Sequence, residues 1–541
     1  MTVLTAFARS VAIRGRHLRG FIVHLLSWTS FPVLVLAVWI PLELAAFLRP
    51  SLRTARGWIV PAWFLRPIGA WSVFSIIFRW FAKYGINDRT TFPFYFTPWH
   101  PKETWTETAT RLAHLPAFWW SSLVVVLLCI LLFMTCRWIL EGELSRRKTA
   151  LALVYLVLLC MALPLAYDAV PEGIVDPMEN KGSFLNMWFD SGNTMLYCMP
   201  SVRSKGFFLR HFEKIQPELK TTIHGADHPP GATLALYWLG RMAGAQERIG
   251  KDRLRYALAT TAFASLSVLA VYFLGVSLFG SRRTGLLSAA FWAAKPATLA
   301  YNTFAPDTVY WIFFILWMAL TWKVVTAEKR PYGSMVLMGV VLTVLTMINF
   351  NWPLLGGMFG VFLSIHAWRN RWALSEWFWR AAIPTGIGFG LLVLICIDYN
   401  LNYFAIYRYA FENSQFYNLR GAYHWIMCLI GGQLDICILS GSFTAYIFLR
   451  NLPGQLRERP MPAHTLYLAV FLTLYMLAVI FIEPTLKIET SRIWAWITAL
   501  PIVMVARRLD QSEECRFYAL AAVALALLQY YGMRVMLVSC G

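Results

Sequence analysis

The chain has 541 residues, of which 58% are hydrophobic, 16% aromatic and only 14% charged, and its mean hydropathy is +0.54. Soluble domains average about 45–50% apolar and about 25% charged residues, so these figures exclude a soluble enzyme, a coiled coil and a disordered chain. Forty-eight Lys and Arg against 28 Asp and Glu leave a net charge of +20. Because apolar stretches of about 20 residues recur from end to end, that excess reads as basic residues crowding short cytoplasmic loops. No nucleic acid partner is expected, since no basic stripe with interleaved aromatics lies outside an apolar run.

The first 20 residues carry Arg9, Arg14, Arg16 and Arg19 and no acid, and lead into the apolar run Phe21 to Leu48. With no small-residue cleavage site, this reads as a retained signal anchor with a cytoplasmic N-terminus. Further candidate spans cover roughly 66–82, 118–140, 149–167, 229–245, 257–279, 285–304, 308–325, 335–350, 352–368, 381–398, 424–448, 466–483, 493–506 and 517–535. Some are short, so the expectation is an all-α, polytopic transmembrane helix bundle of about 12–14 spans. The nine cysteines stand singly within or beside apolar runs, with no metal-ligand spacing and no disulfide framework.

Two stretches are not spans. Residues 84–116 are polar and proline-rich, with Trp99, His100 and Trp105 in the manner of an interfacial loop. Residues 168–227 hold eight acids (Asp168, Glu172, Asp176, Glu179, Asp190, Glu213, Glu218 and Asp227) against six Lys and Arg. Their net charge is therefore −2, and the remainder of the chain carries +22, since 22 minus 2 is the total of 20. The basic turn from Glu141 to Lys148 is cytoplasmic in character, and one crossing over 149–167 puts this acidic loop on the extracytoplasmic side.

The loop ends in His224-Gly-Ala-Asp227-His228-Pro-Pro-Gly231. Proline is tolerated in a helix's first turn and fixes the angle of entry, so His228 is presented at the mouth of a membrane helix. Downstream, Leu278-Phe-Gly-Ser-Arg-Arg-Thr-Gly285 is a turn, and Tyr301-Asn-Thr-Phe-Ala-Pro-Asp307 puts Asp307 directly before another apolar span. A carboxylate there is either a helix cap favoured by the dipole or a functional group facing a site. Lys295 and Asp435 are further charges in apolar surroundings, and residues 399–425 are rich in Tyr and Phe, either an interfacial belt or a wall for a lipid or sugar.

An acidic outer loop, a His-Pro-Pro-Gly helix entry, a Leu-Phe-Gly-x-Arg-Arg-x-Gly turn and a Pro-Asp before the next helix, in that order, resemble the polyprenyl-phosphate-sugar-dependent transferases of the GT-C superfamily. The nearest branch is glycosyltransferase family 39, that of protein O-mannosyltransferases and the lipid A aminoarabinose transferase. The similarity is best over about 149–330, with a weaker match at Glu489-Thr-Ser-Arg492-Ile-Trp494 and Pro501. It divides the chain into an N-terminal membrane segment (1–148), a GT-C-like catalytic core that includes outer loop 168–228 (149–330), and C-terminal helices carrying the Glu489/Arg492 motif (331–541).

The resemblance implies an inner-membrane enzyme that moves a sugar from a polyprenyl-phosphate carrier to an acceptor on the extracytoplasmic face. It implies two carboxylates at the reaction centre. The second falls on Asp307; the first is Asp168, Asp176 or Asp190, with Asp190 preferred and Asp176 next. The family's Asp-Glu pair is absent, and its leucine after His-Pro-Pro is Gly231 here.

If Asp307 is outside, the turn at Arg282-Arg283 is inside, and 229–245 is re-entrant or tilted rather than a full crossing. On chemical grounds Asp190 (or Asp176) is the base, Asp307 and His228 position substrate with His224, Asp227 and Glu489 nearby, and Arg492 makes a bidentate phosphate contact. Direct displacement by one base predicts inversion. Two carboxylates and a histidine are also a ligand set for a divalent ion. A competing reading is a transporter or lipid flippase that uses the same carboxylates as an ion relay, although no internal repeat of the transporter type is visible.

Overall fold

The structure, a computed structural model, describes residues 94–95, 116–169, 205–218, 228–244, 249–302, 307–414, 433, 436–482, 495–511, 515–536 and 538–539. All belong to the compact unit that runs from Asp88 to Gly541. Among the described residues are seventeen α-helices: α1 Pro116–Leu140, α2 Arg146–Asp168, α3 Lys205–Ile215, α4 Pro230–Met242, α5 Ile249–Ser265, α6 Ser267–Phe279, α7 Arg282–Ala294, α8 Pro296–Tyr301 and α9 Thr308–Thr326. There follow α10 Tyr332–Ile348, α11 Trp352–Arg369, α12 Leu374–Tyr399, α13 Tyr403–Ser414, α14 Ser442–Arg457, α15 Ala463–Ile482, α16 Ala499–Asp510 and α17 Cys515–Met536. A 3-10 turn, Ala495–Thr498, precedes α16. A two-residue antiparallel pairing of β1 (Phe94–Tyr95) with β2 (Val538–Ser539) is the one departure from an all-helical chain among the described residues.

Five of these segments are long and apolar enough to cross a membrane: Trp119–Leu140, Arg146–Tyr167, Arg255–Phe279, Thr308–Thr326 and Leu374–Tyr399. Their surfaces agree with a multi-pass membrane protein. Helix α1 buries Val125, Leu132, Cys136 and Ile139, spaced along one face, while Leu123, Val126, Leu127, Ile130, Leu131 and Met134 are about half exposed. A contiguous apolar face of that size is costly in water and ordinary against lipid. The polar back of α1 is missing because its outward surroundings need no hydrogen bonds.

One end of the bundle gathers the basic turns. Between α1 and α2, Arg137 donates to Glu141 at 2.7 Å and holds that carboxyl below its usual range, and the Ser145 hydroxyl caps α2 by accepting from the Lys148 amide. Arg282 and Arg283 reach back to the Leu144 and Gly142 carbonyls at 3.3 and 2.8 Å. Gly280, in the left-handed region at φ 65°, terminates α6, and Ser281 caps α7. The Ser281 and Thr284 hydroxyls both donate to Asp510 at the end of α16, each at 2.8 Å. The Gly-Ser-Arg-Arg-Thr-Gly turn is thus a stop, a start and a three-helix tie in six residues. Its last glycine lets α6 and α7 touch: a Cβ on Gly275 would stand 2.9 Å from the Gly285 Cα.

The same basic face holds the α9–α10 and α11–α12 turns. Arg380, 1% exposed, donates to Glu376 at 2.7 Å and to the Val324 and Ala327 carbonyls, while Arg330 donates to the other Glu376 oxygen at 2.6 Å. Arg369 donates to the Met461 carbonyl at 2.7 Å, and His464 packs on Phe279. The end of the bundle opposite this one is the far face, and each of the five long apolar segments has one end at the basic face.

Two differences from the sequence reading have physical causes. The expected 285–304 span is two helices, α7 and α8, because Pro296 cannot continue the first. In place of an apolar span ending at 448, α14 runs to Arg457, its basic last turns lying at the basic face. Helix α4 has 13 residues, about 20 Å at 1.5 Å per residue, against about 30 Å of hydrocarbon. The expected spans at 21–48 and 66–82 and the loop 84–115, the pair 94–95 aside, lie outside the described residues.

Candidate functional site

Two of the residues singled out from the sequence, His228 and Asp307, are described, and both stand at helix starts on the far face. His228 is half-buried ahead of the buried Pro229 and Pro230, and Pro229 is the N-cap of α4. Helix α4 enters against the end of α10: a Cβ on Gly231 would run into the Met347 carbonyl. That contact explains glycine at this position, since no larger residue fits between the two backbones.

Asp307 is 6% exposed and is the N-cap residue of α9, yet its side chain makes no capping hydrogen bond. Its backbone carbonyl enters the helix ladder, accepting from the Tyr310 amide at 3.0 Å. The commonest structural use of an Asp side chain at this position is to accept from the first-turn amides. Asp307 is not put to that use, and its carboxylate instead lies within electrostatic reach of the buried Tyr310. Helices α4 and α9 both pack on α5 and α10, so the starts carrying His228 and Asp307 share one end of one helix cluster.

Lys295, a charge without an evident purpose in the sequence, ties this cluster to the C-terminal region. It stands between α7 and α8, fully buried, and donates to the Ala495 carbonyl and the Thr498 hydroxyl, both at 3.0 Å. Its ammonium lies 3.7 Å from the ring centre of Trp292 and 4.8 Å from that of Trp311. Trp311 is one turn beyond Asp307, and Trp496 stacks on Phe314 of the same helix at 4.5 Å. The 3-10 turn that follows the Glu489/Arg492 motif is therefore fastened to the helix that begins at Asp307.

No protein-family model matches the chain and no curated protein is similar to it.

Two polar side chains are buried in the described residues that follow Lys295. Thr298 and Asn302 follow Lys295 along α8, and Asn302 donates to the Cys160 thiol at 3.6 Å while its carbonyl accepts from Thr261 at 3.1 Å. The Thr298 hydroxyl and the Asn302 side-chain oxygen are buried with no hydrogen-bond partner among the described residues. Such groups are rare in a helical interior and mark places where a bound polar molecule or water completes the bonding.

The described part of the acidic loop, α3, docks where the aromatic stretch begins. Glu213 accepts from the Asn402 amide at 2.6 Å, Gln216 donates to the Ile406 carbonyl at 3.2 Å, and Tyr403 donates to the Thr346 carbonyl at 2.7 Å. Beside them is a groove of about 560 Å³ walled by Trp352, Phe389, Leu392, Ile397 and Tyr403, with Glu213 and Asn402 at its polar end. The sequence offered no sign that Glu213 joins these two regions, because the contact spans 189 positions.

Asp176, Asp190, His224, Asp227, Asp435, Glu489 and Arg492 lie outside the described residues, as does the Asp168 side chain. Among the described residues no three His, Cys, Asp or Glu groups come together as metal ligands.

Proposed function

We propose that the chain is an inner-membrane glycosyltransferase that moves a sugar from a polyprenyl-phosphate carrier to an acceptor at the extracytoplasmic face. The observation that carries the reading is Asp307, a buried carboxylate at the head of an apolar helix that does not cap that helix. Charge at such a place is costly and is kept where a site uses it. The positive-inside rule makes the basic face cytoplasmic and the far face external. Five segments long and apolar enough to cross a membrane support a multi-pass protein, and the short α4 suits a helix that does not cross.

In the proposed reaction Asp190, or Asp176, takes the proton of the acceptor hydroxyl as its oxygen bonds to the anomeric carbon. The bond from that carbon to the phosphate oxygen breaks, and the lipid phosphate leaves with the electron pair. Asp307 and His228, with Asp227, His224 and Glu489 nearby, orient the substrate, while Arg492 contacts the phosphate. Arg492 is three residues from the fastened Ala495, a reach of about 11 Å at most. Displacement by one base inverts the anomeric centre. A divalent ion bound by two carboxylates and His228 would neutralise the phosphate.

The test is incubation of the purified protein in lipid with a panel of polyprenyl-phosphate sugars. Loss of the donor with release of polyprenyl phosphate supports the proposal. No turnover, together with Asp307-dependent uptake of a solute into sealed vesicles, would replace it with a transporter.

A further inference from the structure

The turn between α11 and α12 builds a second recess, on the basic face and away from the candidate site. It has a volume of about 760 Å³ and is walled by Trp368, Trp372, Trp377 and Leu374, with Arg369 and Arg371 at its mouth. Two of the tryptophans are fixed. Trp377 donates to the Ser364 hydroxyl at 3.2 Å, and Trp372 packs between His366 and the Arg380 guanidinium. Trp368 and Leu374 are instead 81% and 79% exposed.

The charge at this turn is positive and not cancelled. Glu376, the acid of the first turn of α12, is engaged by both Arg330 and Arg380. Glu458, on the neighbouring turn, is flanked by Arg457 and Arg459. Arg369 spends one amino group on the Met461 carbonyl. Arg371 is exposed and its guanidinium has no partner among the described residues. Its backbone lies in the left-handed region at φ 51°, where glycine or asparagine is the ordinary residue. An arginine is held here against backbone preference.

Beside the recess, Leu374 and Phe378, one turn apart on α12, present an exposed apolar surface. Tryptophan beside arginine, at the end of a membrane helix with exposed apolar side chains next to it, matches the layers of a lipid: headgroup, interface and acyl chain. We infer that this recess binds an anionic phospholipid, with its phosphate on Arg371 and Arg369, its glycerol region against Trp368 and Trp372, and the start of one acyl chain against Leu374 and Phe378. The planar guanidinium accepts a phosphate through two parallel hydrogen bonds. The inference rests on the membrane reading and is independent of the transferase reading.

The experiment uses the full-length protein in a neutral detergent, with thermal unfolding followed during titration of a short-chain phosphatidylglycerol. The expected result is a saturable rise in Tm that phosphatidylcholine of the same chain length and inorganic phosphate do not reproduce. Arg371→Gln, which leaves every contact described above intact, should weaken the apparent affinity by about fivefold, the worth of one basic residue near an anionic surface, and Arg369→Gln/Arg371→Gln by more. Native mass spectrometry of protein extracted from membranes should show an anionic lipid retained by the wild type and lost from the double variant. An equal response to phosphatidylcholine would reduce the recess to an acyl-chain contact. An equal response to inorganic phosphate would make it an anion site, and an unchanged titration in the double variant would move the lipid elsewhere; each of these overturns the inference.

Discussion

Replacing Lys295 separates two things that its burial combines, the filling of space and the fastening of the 495–498 turn. Its ammonium makes two hydrogen bonds at 3.0 Å and lies over two tryptophan rings, and taking it out of water costs several kcal/mol. The favourable contacts, at about 1.5–3 kcal/mol for each charged hydrogen bond and up to about 2 for a desolvated cation over an aromatic ring, roughly offset that cost. Lys295→Met keeps the volume and removes the charge. Because Thr498 still donates to the Ala495 carbonyl at 2.7 Å, neither group loses its last bond, and global stability should change by less than about 1.5 kcal/mol, as for other volume-conserving swaps. Lys295→Ala empties the space as well and should cost about 2–5 kcal/mol, as do other large-to-small substitutions in a core.

The fastening itself is local. Two charged hydrogen bonds, at the lower end of their range about 1.5 kcal/mol each, correspond to on the order of a hundredfold faster opening of the turn. Hydrogen exchange of amides 495–500, read by mass spectrometry in detergent, should accelerate by that order in Lys295→Met while thermal unfolding barely moves. Unchanged exchange in the methionine variant, or a collapse of global stability as large as that of Lys295→Ala, would refute the reasoning that Lys295 is a local fastener.

Gly231→Leu, which installs the residue common in the family that the sequence resembles, drives a Cβ into the Met347 carbonyl; it should lower stability by about 1–3 kcal/mol, visible as a lowered Tm. Glu376→Gln removes the carboxylate shared by Arg330 and the buried Arg380. Its cost should fall below the about 3–5 kcal/mol of a fully buried broken pair, because Glu376 is partly exposed and Arg380 keeps two carbonyl acceptors. Chemical denaturation measures it, and no loss would mean that the guanidinium is satisfied by the carbonyls alone.

Much of the frame is legible in the amino-acid sequence because a membrane helix needs a long apolar run, and a run such as Thr308–Thr326 leaves little room for another reading. The Pro296 break is legible as a proline, and the Gly280-Ser281 turn as a stop and a cap. What the sequence hides is pairing over distance. Lys295 looks like an isolated buried charge because its acceptors are 200 and 203 positions away, and Glu213 looks like one acid among eight because its partner belongs to another motif. The end of the 424–448 reading falls short for a different cause: hydropathy follows apolar content, whereas α14 carries its basic turns on to Arg457. At the candidate site, Asp307 is conspicuous from Pro-Asp before an apolar run, but only the fold shows that its side chain does not cap the helix it begins.

The central claim concerns that carboxylate. The most direct measurement compares wild-type protein with Asp307→Asn, a substitution that keeps shape, removes charge and sacrifices no cap, for release of polyprenyl phosphate from a sugar-charged carrier. The account predicts donor turnover by the wild type and a loss of about 10²-fold in the variant, as is typical when a reacting group is misplaced. It also predicts that the variant keeps a cooperative thermal transition and stays folded at the assay temperature, since the substitution opens no cavity and breaks no cap. Full turnover by Asp307→Asn, or a variant that loses activity only because it unfolds, would contradict it.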